Sequence, residues 1–274
     1  MAIACKNTGR QITRGLVFYR NKNEYVTRFN ILGKGFFEKI TALMTNRTII
    51  VTGASGNLGQ SVINKFLAEG YDVIGTVIPD DPVQFELTHP RLERVMVDLM
   101  DETASEKFVQ DIINKYGSID AAVLTVGGFA TGKIADTRAS DIHKQYKLNF
   151  ETTYNVARPS YIQMMQQGYG RIFFIGSRPG LNAANGNGMV AYGLGKSLIF
   201  RLAELMNEEA RGLNVVTSVV VPSTIDTVQN RAAMPQAKFD NWVKADAIAD
   251  TIYFYCSDTA SALREPLIKV YNNA

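Results

Sequence analysis

The sequence predicts an α/β fold in which a parallel sheet is covered by helices on both faces. Short, almost continuously apolar runs alternate with longer segments whose apolar residues recur at helical spacing, as at Val109, Ile112 and Ile113. Such runs are expected of strands that are buried on both faces. Strand–helix alternation is typical of a doubly wound parallel sheet in one domain. The 274 residues are 46% hydrophobic and 20% charged, which excludes a disordered chain.

Residues 44–274 are expected to form this single domain, with seven strands and five helices in alternation. The strands are predicted at Arg47–Thr52, Asp72–Ile78, Arg94–Val97, Asp120–Thr125, Arg171–Ile175, Asn214–Val221 and Leu267–Tyr271. The helices are predicted at Asn57–Glu69, Glu102–Tyr116, Arg138–Gln166, Met189–Arg211 and Ala245–Ser257.

Residues 1–43 form an N-terminal extension of different character. They carry eight Lys or Arg against two Glu, a net charge of +6, so the remaining residues carry −3 of the overall +3. Overall charge therefore gives no reason to expect nucleic acid as a partner of the body. Three interpretations of the extension stay open: a transit peptide, an arm that binds a partner, or residues upstream of a true start at Met44.

Several kinds of site are not expected from the composition. No apolar run approaches the roughly 18 residues of a transmembrane helix, so no membrane partner is predicted. Cys5 and Cys256 fit neither a disulfide framework nor a metal site, and His89 and His143 are the only histidines. We expect no metal and a cytoplasmic protein, or a mitochondrial one if residues 1–43 are a transit peptide.

A glycine-rich turn follows the first predicted strand and leads into the first helix. Glycines three residues apart permit a tight turn and a close approach of the backbone to a pyrophosphate, and the helix N-terminus favours phosphate binding. With a strand before it and a helix after it, this turn predicts a dinucleotide site of the Rossmann type. The expected cofactor contacts here are Gly53, Ser55, Gly56, Asn57, Leu58 and Gly59.

The end of the second strand is where an acidic residue would bind the ribose hydroxyls of NAD. Neither Val77 nor Ile78 is acidic, and no Arg follows that could bind the 2′-phosphate of NADP. Asp80 is the nearest candidate, although a solvated Asp in a turn would look the same in the sequence. This pattern favours NAD over NADP.

A tyrosine and a lysine open the long helix after the fifth strand. Tyr192 and Lys196 stand four residues apart and therefore share one face of that helix. Such a pair carries little weight alone. Its position does, because the pair follows a dinucleotide turn and a fifth strand with Ser177 just beyond its end.

Together these motifs resemble the short-chain dehydrogenase/reductase family over residues 44–274. The resemblance implies an NAD(P)-dependent oxidoreductase that acts on a small molecule and forms a homodimer or homotetramer. It implies the catalytic residues Tyr192, Lys196, Ser177 and Asn149. It adds as cofactor contacts Asp98, Leu99, Val126, Gly127, Gly128, Tyr192, Lys196, Pro222, Thr224 and Thr227.

The resemblance also implies a role for each catalytic residue. Tyr192 would donate a proton, and the Lys196 ammonium would lower the phenol pKa from its usual value of about 10. Asn149 would hold a water that links Lys196 to solvent. Ser177 would stabilise the substrate oxygen or nitrogen; its alternative role is to cap the local backbone.

Two departures from the usual family pattern point to one branch. The glycines are spaced three and three, and Thr125-Val126-Gly127-Gly128-Phe129 replaces the usual Asn-Asn-Ala-Gly. With the run from Asn230 to Trp242, these segments resemble dihydropteridine reductase, which implies a quinonoid dihydropterin or a similar conjugated imine or carbonyl as substrate. Ser177 instead favours a general alcohol or carbonyl dehydrogenase. A non-catalytic dinucleotide-binding sensor or scaffold is a further alternative, which the intact Tyr192 and Lys196 argue against.

Overall fold

The computed structural model describes residues 46–80 and 85–273, together with the strands Gln11–Thr13 and Leu16–Phe18. The chain divides into two compact units, residues 1–46 and 47–274. In the first unit the two short strands pair antiparallel, with Ile12 opposite Val17. The sequence analysis predicted no element there.

The second unit is built on a seven-stranded, all-parallel sheet, which confirms the predicted fold class. The strands lie in the order β3-β2-β1-β4-β5-β6-β7. Their bounds are Thr48–Thr52 (β1), Asp72–Val77 (β2), Leu92–Met96 (β3), Ala121–Leu124 (β4), Tyr169–Ile175 (β5), Asn214–Pro222 (β6) and Leu267–Val270 (β7).

Strand β3 begins two residues before its predicted start, for a physical reason. It lies at the sheet edge and pairs only with β2 among the described strands, so its side chains are partly exposed. Glu93 and Arg94 are therefore tolerated inside it. An apolar run is the signature of a central strand and fails at an edge.

The five predicted helical segments lie between the strands, one of them is interrupted, and two further short helices were not predicted. Their bounds are Asn57–Ala68 (α1), Glu102–Tyr116 (α2), Ala139–Tyr146 (α3), Thr152–Gln167 (α4), Arg178–Leu181 (α5), Val190–Glu209 (α6), Val228–Ala233 (α7) and Ala245–Cys256 (α8). The sequence analysis expected one continuous helix over Arg138–Gln166. In the structure a π-helical turn, Lys147–Glu151, separates α3 from α4.

The core lies on both faces of the sheet, as the apolar strands require. Alternate residues of β1 point to opposite faces: Ile50 belongs to one cluster and Ile49 to the other. Helices α2, α4 and α6 cover the first face, whereas α1 and α8 cover the second. Each fully buried aliphatic or Phe side chain contributes about 1.5–3 kcal/mol.

The strand order reverses between β1 and β4, because the chain proceeds outward through β2 and β3 before it crosses back. In open α/β sheets the ligand crevice lies at this point, outside the carboxyl ends of the strands. Within the described part of the chain, no helix is long and apolar enough to cross a membrane.

Candidate functional site

The glycine turn after β1 has the geometry that a pyrophosphate requires. Gly53 adopts φ +68°, and the Gly56 N–H donates to its carbonyl over 3.0 Å. A Cβ atom on Gly59 would lie 2.1 Å from the same carbonyl oxygen, so only glycine fits. Gly56 caps α1 without a side chain, and the first turn of α1 holds no acidic residue. The positive helix end therefore faces the crevice without a competing carboxylate, which fits the phosphates of a dinucleotide.

Strand β2 supports this turn from one side. Ala54 N donates to Thr76 O over 2.8 Å, and Gly53 N donates to Thr76 Oγ1 over 3.3 Å. Asp80 lies three residues beyond β2, exposed and at φ +57°. The predicted ribose-binding position is thus an exposed turn at the correct edge of the sheet.

Strands β1 and β4 are joined at their carboxyl ends by two threonines that the sequence analysis did not single out for a role. Thr125 N donates to Thr52 Oγ1 over 3.0 Å, and Thr125 Oγ1 donates to Thr52 O over 2.6 Å. Hydroxyl residues at the ends of both strands flanking the reversal are the signal that could have identified them. This pair fixes the segment that leads to Val126, Gly127 and Gly128.

The other predicted cofactor residues reach the same edge. Asp98 accepts a hydrogen bond from Met100 N (2.9 Å), and the carbonyl of buried Leu99 accepts one from Asn155 (2.9 Å). Pro222 ends β6. Thr224 O accepts from Val243 N over 3.0 Å, and Thr227 caps α7 by accepting from Asn230 N over 3.1 Å.

Asn149 clamps the segment after β4 from the π-helical turn. Its Oδ1 accepts from Gly128 N and its Nδ2 donates to Gly128 O, both over 3.0 Å. Nδ2 also donates to Gln145 Oε1 over 2.8 Å. The side-chain amide of Asn149 is therefore bonded to the backbone of Gly128, whereas the water expected at Asn149 stays a prediction. The π-helical turn coincides with this contact between Asn149 and Gly128, which are 21 residues apart in the sequence.

Lys196 is buried beneath the carboxyl end of β5. Its Nζ donates to Ile175 O over 2.7 Å, and burial lowers its pKa from 10.5 to about 8. A Cβ atom on Gly127 would lie 2.9 Å from Lys196 Nζ and 2.7 Å from Asn149 Oδ1, so a side chain at this position would displace the end of one of these side chains.

Tyr192 lies one helical turn before Lys196 on α6. Burial raises its pKa above 10, while a hydrogen bond with the Ser177 side chain works in the opposite direction. The sequence analysis expected Lys196 to lower this pKa. The structure instead directs the ammonium to the Ile175 carbonyl.

The Tyr192 ring also meets an aromatic neighbour. Phe129 lies edge-on to it, with ring centroids 5.1 Å apart and an interplanar angle of 75°. Phe129 remains 64% exposed. An exposed aromatic ring therefore stands beside the phenol.

Ser177 caps the local backbone, one of the two roles that the sequence left open, and it also contacts Tyr192. Its Oγ accepts from Gly180 N over 3.2 Å and caps the short helix α5. The same hydroxyl contacts Tyr192. Because Oγ accepts from a backbone N–H, its own proton remains available for a neighbouring oxygen.

The segment between β6 and α8 is tied down at several points. Asp226 accepts from Arg231 and from Lys244, at 2.6 and 2.9 Å, and these cations hold its pKa well below its usual value. Gln229 of α7 accepts from Asn57 of the glycine turn over 3.0 Å. The segment therefore contacts the predicted cofactor site directly. Within the described ranges, no three His, Cys, Asp or Glu side chains could hold a metal ion.

Comparison with known proteins gives a consistent result. The family model described as short chain dehydrogenase matches residues 47–238. The cyclic-di-GMP-binding biofilm dispersal mediator protein of Escherichia coli K12 is 27% identical over 196 residues, which are 70% of this chain and 78% of that protein. The dihydropteridine reductase of Dictyostelium discoideum is 24% identical over 223 residues, 79% of this chain and 90% of that protein. The solved structure of ElxO with NADP bound has the same fold, with a TM-score of 0.75 at 20% identity over 82% of this chain and 97% of that one.

Proposed function

The chain belongs to the short-chain dehydrogenase family and is an NAD(P)-dependent oxidoreductase. We propose that it reduces a flat conjugated imine or carbonyl of the quinonoid dihydropterin type. The observation that carries the substrate proposal is the exposed Phe129 ring beside Tyr192. Aromatic rings favour edge-to-face and offset-stacked neighbours. A flat conjugated ring placed against Phe129 would bring its reducible bond next to the Tyr192 phenol.

The residues divide the chemistry between them. When bound, the nicotinamide supplies a hydride to the substrate. Tyr192 donates the balancing proton from its Oη to the substrate nitrogen or oxygen, and its raised pKa keeps the phenol protonated at neutral pH. Ser177 then stabilises the phenolate that remains through a hydrogen bond, and the Lys196 ammonium, which donates to Ile175 O, adds positive charge one helical turn away. Asn149 and Gly127 keep this end of the site in place.

A second candidate function is favoured by Ser177. A simple ketone develops full negative charge on one oxygen, and a hydroxyl donor at that oxygen is worth a large factor in rate. Ser177 has a proton to donate there because its Oγ accepts from Gly180 N. A general alcohol or carbonyl dehydrogenase is therefore the alternative within this family.

We propose NAD as the preferred cofactor. Asp80 is exposed in the turn that follows β2. A carboxylate there would accept hydrogen bonds from the ribose hydroxyls of NAD and repel the 2′-phosphate of NADP. Arg94, on the neighbouring strand, is engaged with the carbonyl of Phe85. Both features favour the cofactor without the phosphate.

We propose that the protein acts in the cytoplasm as a homodimer or homotetramer. Helices α4 and α6 expose apolar side chains that a second copy would cover, namely Tyr154, Ile162, Leu194, Leu198 and Leu205. Large exposed apolar surface is typical of an interface.

One assay tests the substrate and cofactor proposals together. Purified protein is mixed with NADH or NADPH and with quinonoid dihydropterin or simple aliphatic ketones, and nicotinamide absorbance is followed. The proposal predicts faster oxidation of NADH than of NADPH and a higher kcat/KM for the pterin. Turnover of ketones with inert pterins would favour the alternative function.

A further inference from the structure

A half-buried arginine stands directly after Ser177 at the carboxyl edge of the sheet. The Arg178 guanidinium lies over the Tyr271 ring, with 5.1 Å between its Cζ and the ring centroid. Tyr271 directly follows β7. Its carbonyl accepts from Ser223 Oγ over 2.7 Å, so the chain at the end of β7 is fastened to the chain at the end of β6.

The segment between β6 and α8 is fastened to the residue that follows Tyr271. Asn272 Nδ2 donates to Asp240 O and to Trp242 O, both over 3.0 Å. Trp242 itself is buried and packs against Phe239. The ring that the guanidinium contacts is therefore followed directly by the residue that fastens this segment.

Arg178 lacks a counter-charge among the residues that the structure describes. No carboxylate there forms an ion pair with it. The Asp226 carboxylate of the covering segment already binds Arg231 and Lys244. The cation–π contact engages the face of the guanidinium and leaves the N–H donors at its rim available. The planar fork is thus held in one orientation with its donors unused, which suits a carboxylate or a phosphate.

We propose that Arg178 binds an anionic group of the substrate, a carboxylate or a phosphate, and thereby determines specificity. This inference rests on the proposed function, because Ser177 and Tyr192 define where the reducible bond lies. Strand β6 separates β5 from β7, and neighbouring strands are about 4.8 Å apart. The anionic group is therefore separated from the reducible bond by a ring or by several atoms. A conjugated ring with an acidic substituent meets this requirement.

Equilibrium binding to the full chain loaded with NAD⁺ tests the proposal without turnover. The probes are 4-acetylbenzoate, its methyl ester, and 4-acetylphenyl phosphate, titrated by calorimetry. At least one of the two anions, 4-acetylbenzoate or 4-acetylphenyl phosphate, is expected to bind about tenfold to a hundredfold more tightly than the methyl ester. This is the range of a charge-assisted hydrogen bond. The carboxylate and phosphate arms distinguish the two sources of the anion.

Two substitutions at Arg178 and one elsewhere locate the effect. Arg178→Gln should bind the anion no better than the ester, whereas Arg178→Lys should keep part of the preference. Lys269→Leu is the control. It removes an exposed cation from β7, two residues before Tyr271, and should leave the preference for the anion intact. The proposal is overturned if neither anion is preferred to the ester, or if the preference survives in Arg178→Gln. Oxidation of NADH by the same probes is recorded separately: turnover without anion preference rejects only this inference, and anion preference without turnover of any probe or pterin rejects only the proposed function.

Discussion

The ammonium of Lys196 donates a 2.7 Å hydrogen bond to the carbonyl of Ile175, the last residue of β5. This contact places a buried positive charge directly below the strand end that leads to Ser177. Because burial opposes the charged form, the pKa of Lys196 falls to about 8. The site therefore contains a lysine that loses its charge only slightly above neutral pH.

This low pKa predicts a specific dependence of stability on pH. The folded-state pKa lies below the usual lysine value of 10.5, so the unfolded chain binds more protons between pH 8 and 10.5, and stability rises with pH in that window. Relative to Lys196→Met, which lacks the titrating group, the wild type should gain about 1–2 kcal/mol in unfolding free energy between pH 8 and 9.5. Denaturant unfolding without added nucleotide measures this difference. A constant difference over that range would show that the lysine is not perturbed.

The contact of Gly127 with Lys196 and Asn149 predicts a second effect. Gly127→Ala should reduce kcat/KM at least about tenfold, because the new methyl group must displace the Lys196 ammonium or the Asn149 amide. Gly193→Ala is the matched control: its Cβ would meet its nearest heavy atom at 3.5 Å, an ordinary contact, and alanine favours helix. Steady-state kinetics of both variants decide the matter. Equal kinetics for the two would remove Gly127 from the site.

The glycine turn predicts a separation of binding from stability. Gly56→Val should weaken NADH binding about tenfold or more and lower Tm less than a substitution at Gly59, because a Cβ at position 56 would lie 3.3 Å from Gly53 O while the side chain obstructs the pyrophosphate. Gly59→Ala should lower Tm, because its Cβ would lie 2.1 Å from the same oxygen. Calorimetric titration and thermal unfolding measure the two effects. Unchanged NADH affinity in Gly56→Val would exclude the turn from the cofactor site.

The sequence predicted those parts of the fold that depend on local pattern. Helix Glu102–Tyr116 was predicted at its observed bounds, since Asp101 caps it and Gly117 ends it in the left-handed conformation. The interruption at Lys147–Glu151 could not be predicted, because it accompanies the bond of Asn149 to Gly128, a contact between distant segments.

The candidate site shows the same limit. Spacing alone placed Tyr192 and Lys196 on one helix face. It could not reveal that the ammonium is directed to Ile175, or that Arg178 contacts Tyr271, because Ile175 ends β5 and Tyr271 follows β7. Pairings across the sheet decide such contacts, and periodicity carries no information about them.

The N-terminal extension predicts a simple truncation result. A chain that begins at Met44 should fold and bind NADH as tightly as the full chain, because the compact unit that holds the sheet and the site begins at residue 47. Circular dichroism and calorimetric titration test this. Loss of folding or of NADH binding would make the extension part of the enzyme.

Tyr192 is the proposed proton donor, and the kcat of Tyr192→Phe tests this assignment most directly. The substitution keeps the ring and its contact with Phe129 but removes the hydroxyl. With whichever of the pterin and ketone substrates the wild type reduces fastest, kcat should fall about 100-fold to 10,000-fold. The NADH dissociation constant should stay within about twofold. Ser177→Ala, assayed beside it, should lose less than about tenfold with a pterin, whose charge spreads over the ring. A kcat of Tyr192→Phe equal to that of the wild type would contradict the catalytic assignment.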